Sequence, residues 1–259
     1  MMELRYIKTD PTKNITLLVE TPVAEAEQSA AAEKLMQLMP DCEQVGFVGA
    51  ADGCDAALRM MGGEFCGNAS LSLAAVLAEK CGREGNFTLR VSGAEKPVKV
   101  NITQAIYGYA GSVAMPLPLK TERMRLGRYA PQVVRFPGIA HAVVTERMPV
   151  ALAEMVIREW NAAVCADALG IMLFNESAGE LTPVVYVRST DTVVCEGSCA
   201  SGTAAAAVIA ALRDGTADIS LREPGGIMGA RAVAANGSVT ELSLTGRVAI
   251  LEKGVVTVS

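Results

Sequence analysis

The chain has 259 residues, of which 51 % are hydrophobic and 20 % are charged, so it can build one large domain or two of ordinary size around a packed core. A formal net charge of −5 without any basic run argues against nucleic-acid binding, since no cation cluster is present to neutralise phosphates. No apolar run approaches the ~20 residues that span a bilayer, and the first residues lack the apolar core of a signal peptide, so we expect a cytoplasmic protein with no membrane partner.

The first third of the chain alternates strand-like and helix-like patterns. Strong helix formers with apolar residues at helical spacing predict a helix over 25–39, which Pro40 ends. A second helix over 71–78 follows Cys66, and Gly82 is the expected residue after its end. The predicted strands of this part are 14–20, 44–48, 56–61, 87–92 and 96–102.

The second half repeats this order after a proline-rich stretch, 115–119, which is the best candidate for a crossover between two lobes. A helix is predicted over 149–163, and an Ala-rich helix follows Cys199. The predicted strands are 171–174, 184–188 and 193–194, and glycine-punctuated strands then run to residue 259.

Two cysteine segments, FCGNAS and SCASGTA, carry the internal similarity. An offset of 133 positions superposes Cys66 on Cys199 and Ser70 on Thr203, close to half of the chain length. A duplicated two-lobed α+β fold explains this with one assumption. We predict one lobe of residues 1–118 with a C-terminal strand at about 245–259, and a second lobe of residues 119–244.

The cysteines argue for chemistry at these two positions. Their odd number, seven, without a signal peptide argues against a disulfide framework, so we expect free thiols. A metal site is not expected, because no Cys-x-x-Cys pair exists and His141 is the only histidine. Cys66 and Cys199 each precede a helix, where unpaired backbone N–H groups favour a thiolate and should lower the thiol pKa.

Three reaction classes use reactive thiols. A disulfide oxidoreductase would need Cys-x-x-Cys, and a cysteine hydrolase with His141 as its base would leave the second thiol unexplained. A racemase or epimerase uses both, because one thiolate removes a proton from one face of a carbon and one thiol returns a proton to the other face. Such a mechanism needs no cofactor.

Small residues after each cysteine fit the binding of an amino-acid carboxylate. Removal of an α-proton requires stabilisation of the developing negative charge, and two helix starts could supply N–H donors. The candidate donors are Gly67, Asn68, Ala200, Ser201, Gly202 and Thr203.

The two cysteine segments resemble the paired signatures of the diaminopimelate epimerase superfamily, which also includes proline racemase and phenazine-pathway isomerases. The resemblance implies two pseudo-symmetric lobes, each with strands wrapped around a central helix, and an active site between them. KNITLLV is similar to the strand whose asparagine, here Asn14, approaches the substrate, and GIAHAVV to the segment that carries a histidine, here His141.

Further segments, CEQVGFV, GGEFCGNAS, GIMLFNES, GSCASGT and EPGGIM, resemble the histidine racemases of staphylopine-type metallophore biosynthesis. This resemblance implies conversion of L-histidine to D-histidine for opine-type metallophore synthesis. It also favours Glu43, otherwise a solvated strand end, as a carboxylate that faces the substrate ammonium or tunes a thiol. Racemisation of another amino acid, a phenazine-pathway-like isomerase and a non-catalytic amino-acid-binding protein stay open as alternatives.

Two departures from the diaminopimelate epimerases argue against diaminopimelate as the substrate. The Glu-Arg pair that holds the distal amino-acid group in those enzymes is replaced by Val187-Arg188, and their early Gly-Asn-Asp-Phe sequence is absent. Arg188 could bind a carboxylate, but an exposed strand charge is the simpler interpretation. A homodimer is the default expectation for the oligomeric state.

Overall fold

The computed structural model describes residues 2–188 and 191–258, which form two compact units. Unit 1 contains residues 2–114 and 245–258, and unit 2 contains residues 115–244, so the boundary falls at the start of the proline-rich stretch. Residue 259, where the last predicted strand ends, lies outside the described residues.

The fold is mixed α+β and rich in sheet, as predicted. The helices are α1 (Glu25–Leu38), α2 (Gly67–Cys81), α3 (Val150–Val164) and α4 (Ala200–Asp214). The strands that begin in unit 1 are β1 (Met2–Asp10), β2 (Thr16–Val19), β3 (Gln44–Gly49), β4 (Ala56–Met60), β5 (Gly85–Val91), β6 (Val98–Gln104) and β7 (Tyr109–Ala114). Those that begin in unit 2 are β8 (Lys120–Arg123), β9 (Gln132–Phe136), β10 (Ile139–Val144), β11 (Ala168–Asn175), β12 (Glu180–Val187), β13 (Thr192–Cys195), β14 (Thr216–Glu223), β15 (Gly226–Ala235) and β16 (Ser238–Val258).

In unit 1 the strands pair in chain order from β1 to β7 and then to β16, and β1 also pairs with β16, so the sheet closes on itself. The pairs β2–β3 and β4–β5 are parallel. Helix α2 contacts β2, β5, β6 and β7, and its residues from Gly67 to Val76 are all buried, which makes it the central helix of the unit. It ends at Gly82, whose φ of 59° is the left-handed conformation expected there.

In unit 2 the strand order is β16-β15-β14-β12-β11-β10-β9-β8. Strand β13 pairs with β12 but is not part of this order. The pairs β10–β11 and β12–β14 are parallel. Helix α4 contacts β14, β15 and the strands β9 to β11, and the run from Gly202 to Val208 is buried. Helix α3 covers β11 and β12 through a second core that includes Ile157, Trp160 and Ile171.

Most predicted helices and strands are present within a few residues, but the sequence analysis missed β1 and the strands from β7 to β10. In β1 the apolar residues Leu4 and Tyr6 alternate with charges, a pattern that indicates a half-buried strand. In β10, IAHAVV, alanine and histidine dilute the β-branched signal although five of the six residues are buried.

Within the described residues, no helix is both long and apolar enough to cross a membrane.

Candidate active site

Cys66 and Cys199 occupy the same local structure in their respective units. Each is the N-cap residue of a buried helix, with φ/ψ of −131°/115° for Cys66 and −129°/102° for Cys199. Both backbones are therefore extended at the cysteine and turn helical at the next residue, as the two sequence segments predicted. The sulfurs differ in their contacts, because Cys66 Sγ accepts the Ala69 N–H whereas the Cys199 side chain makes no such cap bond.

A hydroxyl one turn into each helix holds the cysteine carbonyl. Ser70 Oγ donates to Cys66 O at 2.7 Å, and Thr203 Oγ1 lies 3.0 Å from Cys199 O. The backbone N–H groups of Ser70 and Thr203 also donate to these carbonyls. Thr203 is thus not the free N–H donor that the sequence predicted, because its N–H makes the first bond of the helix at 2.9 Å.

In unit 1 a chain of amide side chains leads away from the Cys66 thiol. Cys66 Sγ donates to Gln44 Oε1 at 3.1 Å, and Gln44 Nε2 donates to Asn14 Oδ1 and Thr16 Oγ1 at 2.5 and 2.7 Å. Asn68 Nδ2 donates to the same Asn14 oxygen at 2.9 Å. Both lone-pair directions of Asn14 Oδ1 are therefore used, which fixes the amide orientation.

Glu43 lies at the end of this network. Its Oε2 accepts from Asn14 Nδ2 at 2.5 Å, and burial raises the pKa of the carboxyl while the bond from Asn14 lowers it. The structure thus brings Asn14, Glu43, Asn68 and Cys66 together, as a common site would require. Asn68 Oδ1 is buried without a protein partner, so it is an acceptor available to a ligand.

Sequence reasoning missed Gln44, which connects the thiol to the rest of the network. A signal existed, because Gln44 opens a strand that is otherwise apolar, and it pairs in parallel register with Thr16. A lone polar residue at the start of a buried strand needs hydrogen-bond partners. For Gln44 these partners are Asn14, Thr16 and the Cys66 sulfur.

In unit 2 Cys199 lies beside a serine–histidine pair. Cys199 Sγ is 3.8 Å from Ser201 Oγ, which in turn lies 2.8 Å from His141 Nε2. His141 is fully buried on β10, and burial lowers its pKa to about 3, so the ring is neutral. Gly170 faces it from β11, where a Cβ atom would lie only 2.4 Å from His141 Nδ1.

Glu223 is the second residue that the sequence analysis missed. It is only 4 % exposed, its Oε2 accepts from the Cys199 N–H at 2.7 Å, and its Oε1 is hydrogen-bonded to Thr203 Oγ1. The signal lay in the alternation of β14, where Ala217 and Leu221 are buried at even spacing from Glu223. The sequence analysis used the segment EPGGIM, which begins with this residue, only for its family resemblance and assigned Glu223 no role.

The glycine of the second cysteine segment has a packing role. A Cβ atom at Gly202 would lie 2.2 Å from Met172 Sδ and 3.3 Å from Cys199 Sγ. The small residue is therefore needed for the approach of β11 to the start of α4, in addition to any approach of a ligand.

The expected lowering of the thiol pKa is wrong for the structure as described. Burial raises the pKa of Cys66 to about 12, against a smaller opposite effect of the Ala69 N–H that donates to its sulfur at 3.4 Å. Burial also raises the pKa of Cys199 well above its usual value, and Glu196 and Glu223, in their charged forms, add to this. Loss of hydration outweighs the helix terminus at both positions, so both groups are thiols.

The remaining predicted residues are placed as follows. Gly67, Ala200 and Ser201 lie with Asn68 and Gly202 in the first turns of α2 and α4. Arg188 is exposed just beyond the end of β12. All seven cysteines are free. In the part of the chain that the structure describes, no group of three His, Cys, Asp or Glu residues is arranged to hold a metal ion.

Comparison with known proteins gives a consistent result. The family model of the histidine racemase CntK N-terminal domain matches residues 3–257. A histidine racemase of Fusobacterium nucleatum is 32 % identical over 213 residues, 78 % of each chain, and one of Staphylococcus aureus is 28 % identical over 236 residues, 86 % of each chain. A solved hydroxyproline epimerase of Agrobacterium vitis has a similar fold, with a TM-score of 0.70 at 12 % identity over 98 % of this chain and 92 % of that one.

Proposed function

Since the chain belongs to the family of the histidine racemase CntK N-terminal domain, we propose that it interconverts L-histidine and D-histidine by transfer of the α-proton. The observation that carries this proposal is the pair of N-cap cysteines with matching backbone conformations, one in each unit. Two equivalent thiols suit a reaction whose two directions are chemically equivalent.

In the proposed reaction Cys66 and Cys199 serve opposite faces of the α-carbon. A thiolate takes the α-proton and becomes a thiol, while the other cysteine, which starts as a thiol, gives its proton to the carbanion and becomes a thiolate. The reverse reaction exchanges these roles, so no proton, electron or group is gained or lost over one turnover. No step requires an organic cofactor or a metal ion.

The high thiol pKa values favour a substrate that carries a positively charged group close to the sulfurs. Neither sulfur is hydrogen-bonded to a Lys, Arg or His side chain in the described residues, so the protein supplies no contacting cation for a thiolate. We propose that the α-ammonium group of the amino acid supplies this charge and lowers the thiol pKa only when substrate is bound. Free enzyme would then keep both cysteines in the less reactive thiol form.

The first turns of α2 and α4 are the proposed sites for the substrate carboxylate. The N–H groups of Gly67, Ala200 and Ser201 precede the first intrahelical bonds and can donate to it, whereas those of Asn68 and Gly202 interact with the cysteine sulfurs beside it. Asn68 Oδ1 and the Glu43 carboxylate can accept hydrogen bonds from the ammonium group, and Asn14 holds both of these side chains in place. His141 is connected to this site through Ser201, whose Oγ lies 2.8 Å from His141 Nε2.

We also propose that the two units arose by duplication and are pseudo-symmetric. The order β2-α1-β3-β4-α2-β5-β6 in unit 1 recurs as β10-α3-β11-β12-α4-β14-β15 in unit 2, apart from the short β13. Corresponding pairs are also parallel or antiparallel in the same order, beginning with the parallel pairs β2–β3 and β10–β11. A homodimer, a cytoplasmic location and use of the D-histidine in opine-type metallophore synthesis are part of the proposal.

Deuterium incorporation tests the reaction directly. Purified protein incubated with L-histidine in deuterated water, without added cofactor, should yield D-histidine that carries one α-deuterium, separable by chiral chromatography. A parallel screen of the other amino acids and of LL-diaminopimelate tests the substrate. If histidine stays unlabelled while another amino acid is racemised, the assignment of histidine is wrong although the two-thiol chemistry stands. If no amino acid acquires α-deuterium, the racemase proposal is wrong.

A further inference from the structure

A buried carboxyl group next to Cys199 has no part in the proton transfer proposed above. Glu223 is the last residue of β14, and its two oxygens contact the start of α4, one at the Cys199 N–H and the other at Thr203 Oγ1. Among the ion pairs of residues 2–188 and 191–258, none includes Glu223. A buried carboxylate without a cation is costly, so its protonation state has to be derived.

The hydrogen bonds around Thr203 favour the protonated state of Glu223. Thr203 Oγ1 lies within hydrogen-bonding distance of two oxygens, Cys199 O at 3.0 Å and Glu223 Oε1, but a hydroxyl has only one proton to donate. At the equivalent position of α2, Ser70 Oγ donates its proton to Cys66 O. If Thr203 does the same, the proton between Thr203 and Glu223 must belong to the carboxyl group.

We propose that Glu223 is a positioning residue for Cys199 that acts as a neutral clamp: its acid proton is donated to Thr203, whose hydroxyl donates to Cys199 O, while its second oxygen accepts the Cys199 N–H. Both backbone polar groups of Cys199 are then fixed from one side chain. The direction of the Cα–Cβ bond of Cys199 follows from this fixed backbone, which restricts the positions that its sulfur can occupy.

Electrostatics support the neutral form. Burial raises the pKa of Glu223 to about 7, against smaller opposite effects of the bonds from Thr203 and Cys199. The titratable groups that act on this cluster are Cys199 itself and Glu196, and a charged Glu223 would add to the effect of Glu196 in raising the thiol pKa. A neutral clamp therefore fixes Cys199 without making its deprotonation harder.

Substitutions that separate shape from charge test the clamp. In Glu223→Gln the amide NH₂ can donate to Thr203 and the amide oxygen can accept the Cys199 N–H, so every bond of the neutral clamp is kept. We expect kcat within about threefold of wild type for Glu223→Gln, and a loss of more than about tenfold with little change in KM for Glu223→Leu and Glu223→Asp. Asp218→Asn removes an exposed carboxylate of the same strand and is the matched control, which should leave kcat unchanged.

Two readouts do not need histidine turnover, so they separate this inference from the proposed function on which its catalytic part rests. Infrared difference spectra between wild type and Glu223→Gln at pH 6 should contain the carbonyl band of one protonated carboxyl group. Peptide-level alkylation should change the rate at Cys199 in Glu223→Leu, while Cys66 serves as the internal reference. The clamp is overturned if the spectra contain carboxylate bands alone, or if Glu223→Gln alters kcat and Cys199 alkylation as much as Glu223→Asp does. If Glu223→Leu fails to fold, the comparison of Glu223→Gln with Glu223→Asp still decides whether the clamp exists.

Discussion

His141 Nε2 and Ser201 Oγ are 2.8 Å apart, and this contact couples the only histidine of the chain to the first turn of α4. The ring is fully buried and its pKa is lowered by burial to about 3. Below the unfolded-state pKa of 6.5 the unfolded chain binds a proton that the folded chain does not. The contribution of the neutral His141 ring to the unfolding free energy is therefore complete above pH 6.5 and is lost as the pH falls toward 3.

We predict from this that His141→Gln weakens the acid sensitivity of the protein. Wild type should lose up to about 5 kcal/mol of unfolding free energy through this one group between pH 6.5 and pH 3, a loss that the variant lacks. Urea denaturation at several pH values measures the difference. Parallel stability curves for wild type and variant over this pH range would show that the histidine does not titrate in this way.

The ionisation of Glu223 should have the opposite effect on the pH dependence of the unfolding free energy. Its folded-state pKa of about 7 lies above the ordinary value of 4.5, so the folded chain binds the proton more tightly than the unfolded chain. Its contribution is complete below pH 4.5 and is lost as the pH rises to 7. Relative to Glu223→Gln, wild type should lose about 3 kcal/mol over this interval in urea denaturation. A constant difference between the two proteins would contradict a raised pKa.

Replacement of either thiol should abolish racemisation without unfolding the protein. Cys66→Ser and Cys199→Ser each replace the proton-transfer group by a hydroxyl of much higher pKa, and kcat should fall by more than about a hundredfold. Cys81→Ser, at the exposed end of α2, is the control and should keep full turnover. Normal turnover in either of the first two variants, measured by chiral chromatography, would remove the two-thiol mechanism.

Gln44 is expected to position the Cys66 thiol. Gln44→Met keeps a side chain of similar length but removes the acceptor for Cys66 Sγ and the donors to Asn14 and Thr16. We expect kcat to fall about tenfold or more, with a smaller change in KM. Gln104→Met, at the exposed end of β6, is a matched control for the same chemical change. Equal kinetics for the two variants would mean that the amide network does not orient the thiol.

Gly202 should not tolerate a methyl group. The Cβ atom of Gly202→Ala would overlap Met172 Sδ, and accommodation should cost about 1–3 kcal/mol together with a loss of turnover. Met172→Ala in the same chain should restore part of both, because it removes the overlapping atom. Gly49→Ala, where a Cβ atom meets nothing closer than 3.9 Å, is the control for the loss of glycine itself. Thermal unfolding and initial rates measure the two effects.

The sequence predicted the elements whose signal is local. Helices α1 to α4 follow from periodicity and caps, and the repeated cysteine segments located both N-cap thiols without any tertiary information. Gln44 and Glu223 were missed because their roles depend on partners 22 and 24 positions away along the chain. Two opposing effects act on each sulfur, and their balance depends on burial. The expected low thiol pKa failed because the sequence displays the helix terminus but not the depth of burial.

The pairing of β1 with β16 has a consequence for biosynthesis. Unit 2 is continuous in sequence, whereas the sheet of unit 1 is closed only by residues 245–258, the last of the described chain to leave the ribosome. A chain that ends before residue 245 therefore contains the whole of unit 2, whereas helix α2 of unit 1 then lies in an open sheet with two unpaired edges. A nascent chain truncated before residue 245 should remain sensitive to protease within residues 2–114, and release of the final strand should end that sensitivity.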